Sequence, residues 1–330
     1  MRVIFLGTPE FAVPTLKALI NEPDFDVVAV VCQPDRPKGR GNKVVPPPVK
    51  EVAEQHGIRV LQPEKLSKAK DMVEEMRQLQ PDVIVMVAFG QILKERVLTM
   101  APMGVINLHG SVRPRYGGAA PINWSIINGE TKCGVTTMKT DAGVDTGPML
   151  LKHEVDIDEN MTAPELSEKL SHIGAPLIVE TLRRLKNGSL QPETQNDAES
   201  NYAPMLKKEM GEIDWRRKAK EIHNLVRGLQ PWPGTWANFR GTQLKISKTG
   251  LADSSTAVAP GTIVISGKEI IVACGPDGVE RLKLITVRPP GKPDMEARNW
   301  ANGARLTQGE RFDNPISESG CTTPMQTSIK

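Results

Sequence analysis

Aromatic residues are scarce in this chain: Phe, Trp and Tyr make up 4% of 330 residues. A sheet that stacks nucleic-acid bases on its own aromatic side chains is therefore disfavoured. The four cysteines (Cys32, Cys133, Cys274, Cys321) stand far apart, with no CxxC and no Cys/His pair at metal-ligand spacing. A disulfide framework and a structural zinc are disfavoured on that ground, no metal is expected, and a reducing cytoplasm is the expected compartment. No apolar run approaches the roughly 20 residues of a bilayer-spanning helix, so no membrane partner is expected. The apolar part of residues 1–7 is too short for a signal peptide and reads as a first strand. Two nucleotide fingerprints are also missing. The turn Gly7-Thr8-Pro9-Glu10-Phe11 lacks GxGxxG, with Pro9 and Glu10 where backbone would have to approach a pyrophosphate, and no Walker A sequence occurs. A dehydrogenase and a nucleotide hydrolase are disfavoured accordingly.

What is present is an ordinary globular composition, 39% hydrophobic and 25% charged, in a chain long enough for two domains. Lys and Arg number 42 against 39 Asp and Glu, a balance that hides an asymmetry. Residues 205–330 carry 19 basic against 13 acidic side chains, whereas residues 1–204 carry 23 against 26. A basic back third behind a mildly acidic front suggests a phosphate-bearing partner for the back part.

The front part alternates strand and helix patterns. Short β-branched runs at residues 3–6, 27–32, 83–88 and 105–108 read as parallel strands covered on both faces. Helical patterns fall at 11–21, 48–56, 68–79, 91–98, 121–128 and 162–186, with further strands at 134–139 and 149–155. This order predicts an α/β fold, a Rossmann-like doubly wound and mostly parallel sheet, with ligands at the carboxyl ends of its strands. Residues 1–188 form this expected catalytic domain, and the polar, aperiodic stretch 189–206 reads as a linker. A basic helix over 216–227 leads to Pro231-Trp232-Pro233-Gly234. Strands at 235–240, 243–247, 261–266, 269–273 and 278–287 then predict a small OB-like β-barrel within residues 207–313. The Ser/Thr-rich stretch 314–330 has little to bury and is expected to be disordered. No apolar oligomer seam is visible, so a monomer is expected.

The chemistry concentrates after the fourth buried run, at Ile106-Asn107-Leu108-His109-Gly110-Ser111. Asn107 and His109 are two apart and share one face of a strand. A carboxamide can donate to a developing oxyanion, and an imidazole near neutral pKa can take or give a proton. A carboxylate is needed to orient and charge that imidazole, and both Asp141 and Asp145 in the Gly-flanked loop 140–147 are candidates. Asn, His and Asp without a paired Ser or reactive Cys point to acyl transfer with no covalent intermediate. Cys133 reads as a small buried residue. His56, His153, His172 and His223 receive no role.

Asn107-Leu-His-x-Ser-x-x-Pro114, Gly118-Ala-Ala-Pro121, Gly134-Val-Thr-Thr-Met138 and Asp141-Ala-Gly-Val-Asp-Thr-Gly147 resemble the 10-formyltetrahydrofolate-dependent formyltransferases. Phe5-Leu-Gly-Thr-Pro-Glu-Phe-Ala12, Gln33-Pro-Asp-Arg-Pro-Lys-Gly-Arg-Gly41 and Pro231-Trp-Pro-Gly234 narrow the likeness to the methionyl-tRNA formyltransferase family, over residues 1 to about 312. The resemblance implies formyl transfer from 10-formyltetrahydrofolate, as co-substrate, to the α-amine of methionine on initiator tRNA. It implies Asn107 as oxyanion stabiliser, His109 in proton transfer and Asp145 as the orienting carboxylate. Ser111, Val112, Arg113 and Pro114 would contact the folate, with Asp141, Phe89, Gly90, Gln91 and Leu93 nearby. Phe11 matches a residue near the methionyl side chain. Arg36, Lys38, Arg40 and Lys43 in the loop 33–49, and Arg216, Arg217, Lys218 and Lys220 at the basic helix, would meet tRNA phosphates. Two apolar residues are usual where Val112 and Arg113 stand, so the sequence departs from the family pattern at Arg113, and again at Gly117, where an arginine is common. A formyltransferase acting on a sugar-nucleotide amine and an inactive RNA-binding relative are the alternatives.

Overall fold

A computed structural model describes residues 1–38, 41 and 43–315 of the chain. The front part runs β1 (Arg2–Gly7), α1 (Val13–Asn21), β2 (Asp26–Val31), a hairpin of β3 (Arg36–Lys38) and β4 (Lys43–Val45), then α2 (Pro48–Gln55) and β5 (Val60–Leu61). It continues with α3 (Lys70–Gln78), β6 (Val83–Val87), α4 (Glu95–Leu98), β7 (Val105–His109), β8 (Gly117–Gly118) and α5 (Pro121–Ile127). Strands β9 (Lys132–Lys139) and β10 (Met149–Asp156) and the long helix α6 (Ala163–Lys186) complete it.

One seven-stranded sheet organises these elements in the order β10-β9-β7-β6-β1-β2-β5. The strands from β7 to β5 are mutually parallel, and β9 and β10 add antiparallel. The run of β-branched residues in each central strand is explained by burial on both faces. Along β1, Val3 and Phe5 join one core with Leu16, Leu170 and Ile178, whereas Ile4 and Leu6 join the other with Leu66, Val73 and Met76. The strand order reverses between β1 and β6, which opens a crevice at their carboxyl ends beside the end of β7. Helix α6 is anchored at its start, where Glu165 accepts a bond from the Thr162 N–H at 2.8 Å.

The segment after α6 does more than connect. Its strand β11 (Tyr202–Ala203) pairs in parallel with β8, and Trp124 donates its indole N–H to Pro204 at 2.8 Å. It is therefore bonded along the front part rather than running free. The back part begins with α7 (Ala219–Gly228) and strands β12 (Thr235–Phe239), β13 (Thr242–Ala252), β14 (Ile263–Ser266), β15 (Glu269–Cys274) and β16 (Glu280–Arg288). A short β17 (Met295–Glu296) and α8 (Ala297–Gly303) follow. The OB-like β-domain is an antiparallel sheet, β12-β13-β16-β15-β14, with its own core. Trp215 stacks on Phe312 at 5.1 Å between ring centroids, so much of the chain's small aromatic content is spent here. Helix α7 joins the two cores: Asn123 donates to the Gly228 carbonyl at 2.8 Å, and the buried Arg227 donates to the Met161 carbonyl at 2.9 Å.

Several local expectations are corrected. The basic helix starts at Ala219 rather than 216, because Asp214 turns the chain by accepting from the Arg216 backbone N–H at 3.0 Å and its guanidinium at 2.7 Å. The helix expected over 91–98 shortens to α4, since Gln91 turns inward to accept from the Leu66 N–H at 2.7 Å. The last long strand starts at Glu280 because Gly278 is in a left-handed turn at φ +67°. Helix α8 had no expectation. Of the stretch expected to be disordered, Asn314 accepts a bond from the Trp215 N–H at 3.1 Å, and residues 316–330 lie outside the described residues.

Candidate active site

Asn107 and His109 leave β7 on the same face, as the two-residue period requires, and both are buried. The His109 Nε2 lies 2.8 Å from the Tyr116 carbonyl and its Nδ1 3.6 Å from the Asp145 carboxylate. Both ring nitrogens thus face acceptor oxygens. A neutral ring, which carries one proton, serves only one of them, and the shorter contact places that proton on Nε2. Protonation adds a charge-assisted contact to Asp145. Burial pushes the imidazole below its free value of 6.5, the Asp145 charge and the Tyr116 carbonyl pull it upward, and the Arg113 cation pushes it down again. His109 is therefore a neutral ring set beside a fixed anion, an arrangement suited to accepting a proton during a reaction and returning it.

The choice between the two aspartates is made by loop geometry. Asp141 faces into its own loop, accepting from the Gly143 N–H at 3.1 Å and the Thr146 hydroxyl at 2.7 Å. Asp145 turns the other way, with its backbone at φ +55°, and accepts from the Gly118 N–H at 2.9 Å while facing His109. The Asn107 carboxamide has no side-chain hydrogen bond among the described residues, although the residue is only 7% exposed. A donor on a buried residue, without a protein acceptor, fits an acyl oxygen supplied by a substrate.

Loop 111–116 is built tightly on this centre. Thr136 donates to the Ser111 carbonyl at 2.7 Å and accepts from the Arg113 N–H at 3.0 Å, and the Ser111 hydroxyl donates to the Arg115 carbonyl at 2.6 Å. The Arg113–Pro114 peptide is cis, and Tyr116 has φ +56°. Asn201, from the connecting segment, accepts from the Tyr116 N–H, and the Tyr116 hydroxyl donates to Glu130 at 2.6 Å. Arg113, expected at the folate, turns its side chain into the protein. It is 2% exposed, and its guanidinium donates to the Asp145 carbonyl at 2.9 Å and to Gln195 Oε1 at 3.0 Å. The two departures from the family pattern touch: a Cβ built on Gly117 would overlap this guanidinium, with Cζ 3.1 Å away.

The remaining expected residues are distributed as follows. Val112 is half-buried in the same loop. Phe89 and Leu93 pack into the core with Leu61, Leu66 and Val97, so their side chains support the β6 loop from beneath. Gln91 is committed to Leu66 and the Pro63 carbonyl, and Gly90 takes φ +76° at the crevice. Phe11 lines an open groove between α1 and α6 with Pro14, Lys17, Pro164 and His172. Arg36 and Lys43 are exposed on the β3–β4 hairpin, which also carries Lys38; Arg40 lies outside the described residues. Lys218 and Lys220 are exposed at the start of α7, whereas Arg216 is paired with Asp214 at 2.7 Å and Arg217 with Glu221 at 3.1 Å.

Several contributors were not anticipated, among them Tyr116, Glu130, Thr136, Gln195 and Asn201. Thr136 had a signal, one of two adjacent threonines set between Val135 and Met138 in a strand pattern. Gln195 and Asn201 had none, being polar residues in a polar stretch. Among the described residues no group of three or more His, Cys, Asp or Glu could hold a metal ion, and no helix is long and apolar enough to cross a membrane. Burial pushes the Cys32 and Cys274 thiols to about 12 and raises Cys133 as well, which leaves none of them poised as a nucleophile.

The chain is similar to known proteins along nearly its whole length. Residues 1–182 match the formyl transferase family, and residues 205–305 match the formyl transferase C-terminal domain. A methionyl-tRNA formyltransferase of Pelobacter propionicus is 50% identical over 319 residues, covering 96% of this chain and 97% of that protein. One from Caldanaerobacter subterraneus subsp. tengcongensis is 47% identical over 309 residues, covering 94% and 99%. In fold, the chain is similar to the N-formyltransferase of Helicobacter canadensis solved with folinic acid and dTDP-3-aminofucose. That match has a TM-score of 0.64 at 22% identity, covering 86% of this chain and 98% of the other. HypX from Aquifex aeolicus in complex with tetrahydrofolic acid shares the fold at a TM-score of 0.61 and 14% identity, covering 94% of this chain and 48% of the other. With near-complete coverage by relatives at this identity, both domain matches, and Asn107, His109 and Asp145 gathered at the end of β7, the chain belongs to the methionyl-tRNA formyltransferase family of formyl transferases.

Proposed function

We propose that this chain moves the formyl group of 10-formyltetrahydrofolate to the α-amine of methionine on initiator tRNA, and that Asn107, His109 and Asp145 carry the reaction. The observation that carries the site reading is a buried imidazole held between the Tyr116 carbonyl and the Asp145 carboxylate, on the same strand face as the unengaged carboxamide of Asn107. The folate co-substrate supplies an activated formyl group. The backbone of the Phe89–Gly90 turn and the Ser111–Pro114 loop would hold it against the crevice. Asn107 donates to the formyl oxygen as negative charge develops there, a contribution typically worth about 10²–10³ in rate. His109 takes the proton lost by the attacking amine, Asp145 stabilises the resulting imidazolium, and the same proton is returned to the departing folate nitrogen. One C–N bond forms and one breaks, and the enzyme ends in its starting state.

In this reading residues 1–188 are the catalytic domain, 189–206 the connecting segment and 207–313 the tRNA-binding domain. The exposed cations of the β3–β4 hairpin and of Lys218 and Lys220 would meet phosphates, positioning the tRNA rather than reading its bases. The chain would act as a monomer in the cytoplasm. The test is acceptor choice. Purified protein with the folate donor should formylate charged initiator tRNA and leave an amino-sugar nucleotide untouched. The reverse preference, or no transfer to either, would overturn the proposal.

A further inference from the structure

We propose that Arg113 and Gln195 form a clamp that holds the Asp145 turn, so that both are positioning residues for formyl transfer and Gly117 is required to make room for them. The inference rests on the assignment of Asp145 given above. Asp145 sits at φ +55°, in the left-handed region, where neighbours must fix an aspartate if its carboxylate is to stay aimed. Its own carbonyl is the fixed point. That oxygen accepts from Arg113 Nη2 at 2.9 Å and from Gln195 Nε2 at 2.8 Å. Gln195 Nε2 also reaches the Gly147 carbonyl at 2.7 Å, spanning both sides of the turn, and its Oε1 accepts from Arg113 Nε at 3.0 Å. The three residues close a ring of hydrogen bonds around one carbonyl.

The charge of Arg113 supports this role. A guanidinium that is 2% exposed would ordinarily be met by a carboxylate, yet no ion pair to Arg113 occurs among the described residues. Asp145 presents its carbonyl to the cation and reserves its carboxylate for His109 and the Gly118 N–H. The cation therefore fixes the backbone of the catalytic aspartate without neutralising its charge in a direct pair. Arg113 has no freedom to yield, since its backbone N–H is tied to Thr136 and its guanidinium at several further points. Hence the space above Gly117, where a side chain would collide with the guanidinium, must remain empty. Gln195 comes from the segment between the domains, so that segment is a part of the catalytic centre.

The test is epistasis measured with single-turnover formylation of charged initiator tRNA. Arg113→Leu and Gln195→Leu should each lower kcat by roughly 10–100-fold with KM for the donor changed less than threefold, as misplacement of a catalytic group does. In an Asp145→Asn background the same substitutions should cost less than threefold more, because the group they position is already gone. Gly117→Ala should lower kcat, and Arg113→Ala added to it should cost less than the product of the two separate losses, because one displaces and the other removes the same guanidinium. Additive losses in the Asp145→Asn background, or wild-type kcat in both Leu variants, would overturn the clamp. Wild-type turnover by Asp145→Asn would overturn it differently, by removing the assignment on which it rests.

Discussion

Replacing Asp145 by asparagine isolates the charge of the proposed triad from its shape. The amide can still accept from the Gly118 N–H, now 2.9 Å from the carboxylate, and the backbone bonds to Arg113 and Gln195 are unaffected. What disappears is the anion 3.6 Å from His109 Nδ1, in a pair whose side chains are only 7% and 16% exposed. Opposite unit charges at that separation attract by about 4–5 kcal/mol at an effective dielectric near 20. Part of that is offset because the asparagine carbonyl still offers a dipole. At about 1.4 kcal/mol per factor of ten, a fall in kcat of roughly 10²–10³ is expected. Because the Asp145 charge raises the His109 pKa, the variant's imidazole titrates lower, and the acid limb of its pH–rate profile moves to lower pH. Rapid-quench formylation of charged initiator tRNA at saturating donor, repeated across pH, measures both effects. A kcat within threefold of wild type, or an acid limb that moves upward, would refute the reasoning.

Asn107→Ala should lower kcat by about 10²–10³ while donor binding, followed by fluorescence titration, changes little. Arg36→Ala with Lys43→Ala should weaken tRNA binding and reduce the slope of log Kd against log salt by about 0.7–0.9 for each phosphate no longer neutralised, with donor affinity unchanged. His223 is buried and its pKa is held below the free value of 6.5 by burial, so below that pH the unfolded chain binds a proton that the folded chain resists. The folded state is therefore unaffected by this residue above pH 6.5 and loses stability as pH falls below it; His223→Gln should flatten that part of the Tm–pH curve. Gly228→Val should destabilise the packing of α5 against α7 by about 1–3 kcal/mol, since a Cβ there would lie 2.6 Å from Ile127 Cγ1; calorimetry reads the shift.

The parts of this site that were legible in the sequence are those fixed by a local period. Asn107 and His109 share a face because a strand alternates, and the β-branched runs mark strands covered on both faces of a parallel sheet. Asp141 and Asp145 could not be told apart, because their difference lies in one backbone turn that sends each carboxylate in a different direction. Arg113 was placed by its neighbours in the loop, whereas its actual partner, Gln195, is 82 residues away. Gln195 itself carried no pattern, since a single amide in a polar stretch has no period to betray it. The start of α7 was missed for a related reason: the Asp214–Arg216 turn looks, as sequence, like one more turn of a charged helix.

The central claim is that one buried imidazole passes the proton in formyl transfer. It is tested most directly by following labelled formyl from 10-formyltetrahydrofolate to charged initiator tRNA in a single turnover, with wild type and His109→Ala side by side. Rapid label transfer by the wild type is expected, with transfer slowed by about 10²–10⁴ in the variant and the variant's circular dichroism and tRNA affinity unchanged. Comparable rates for the two proteins, or no transfer by the wild type, would contradict it.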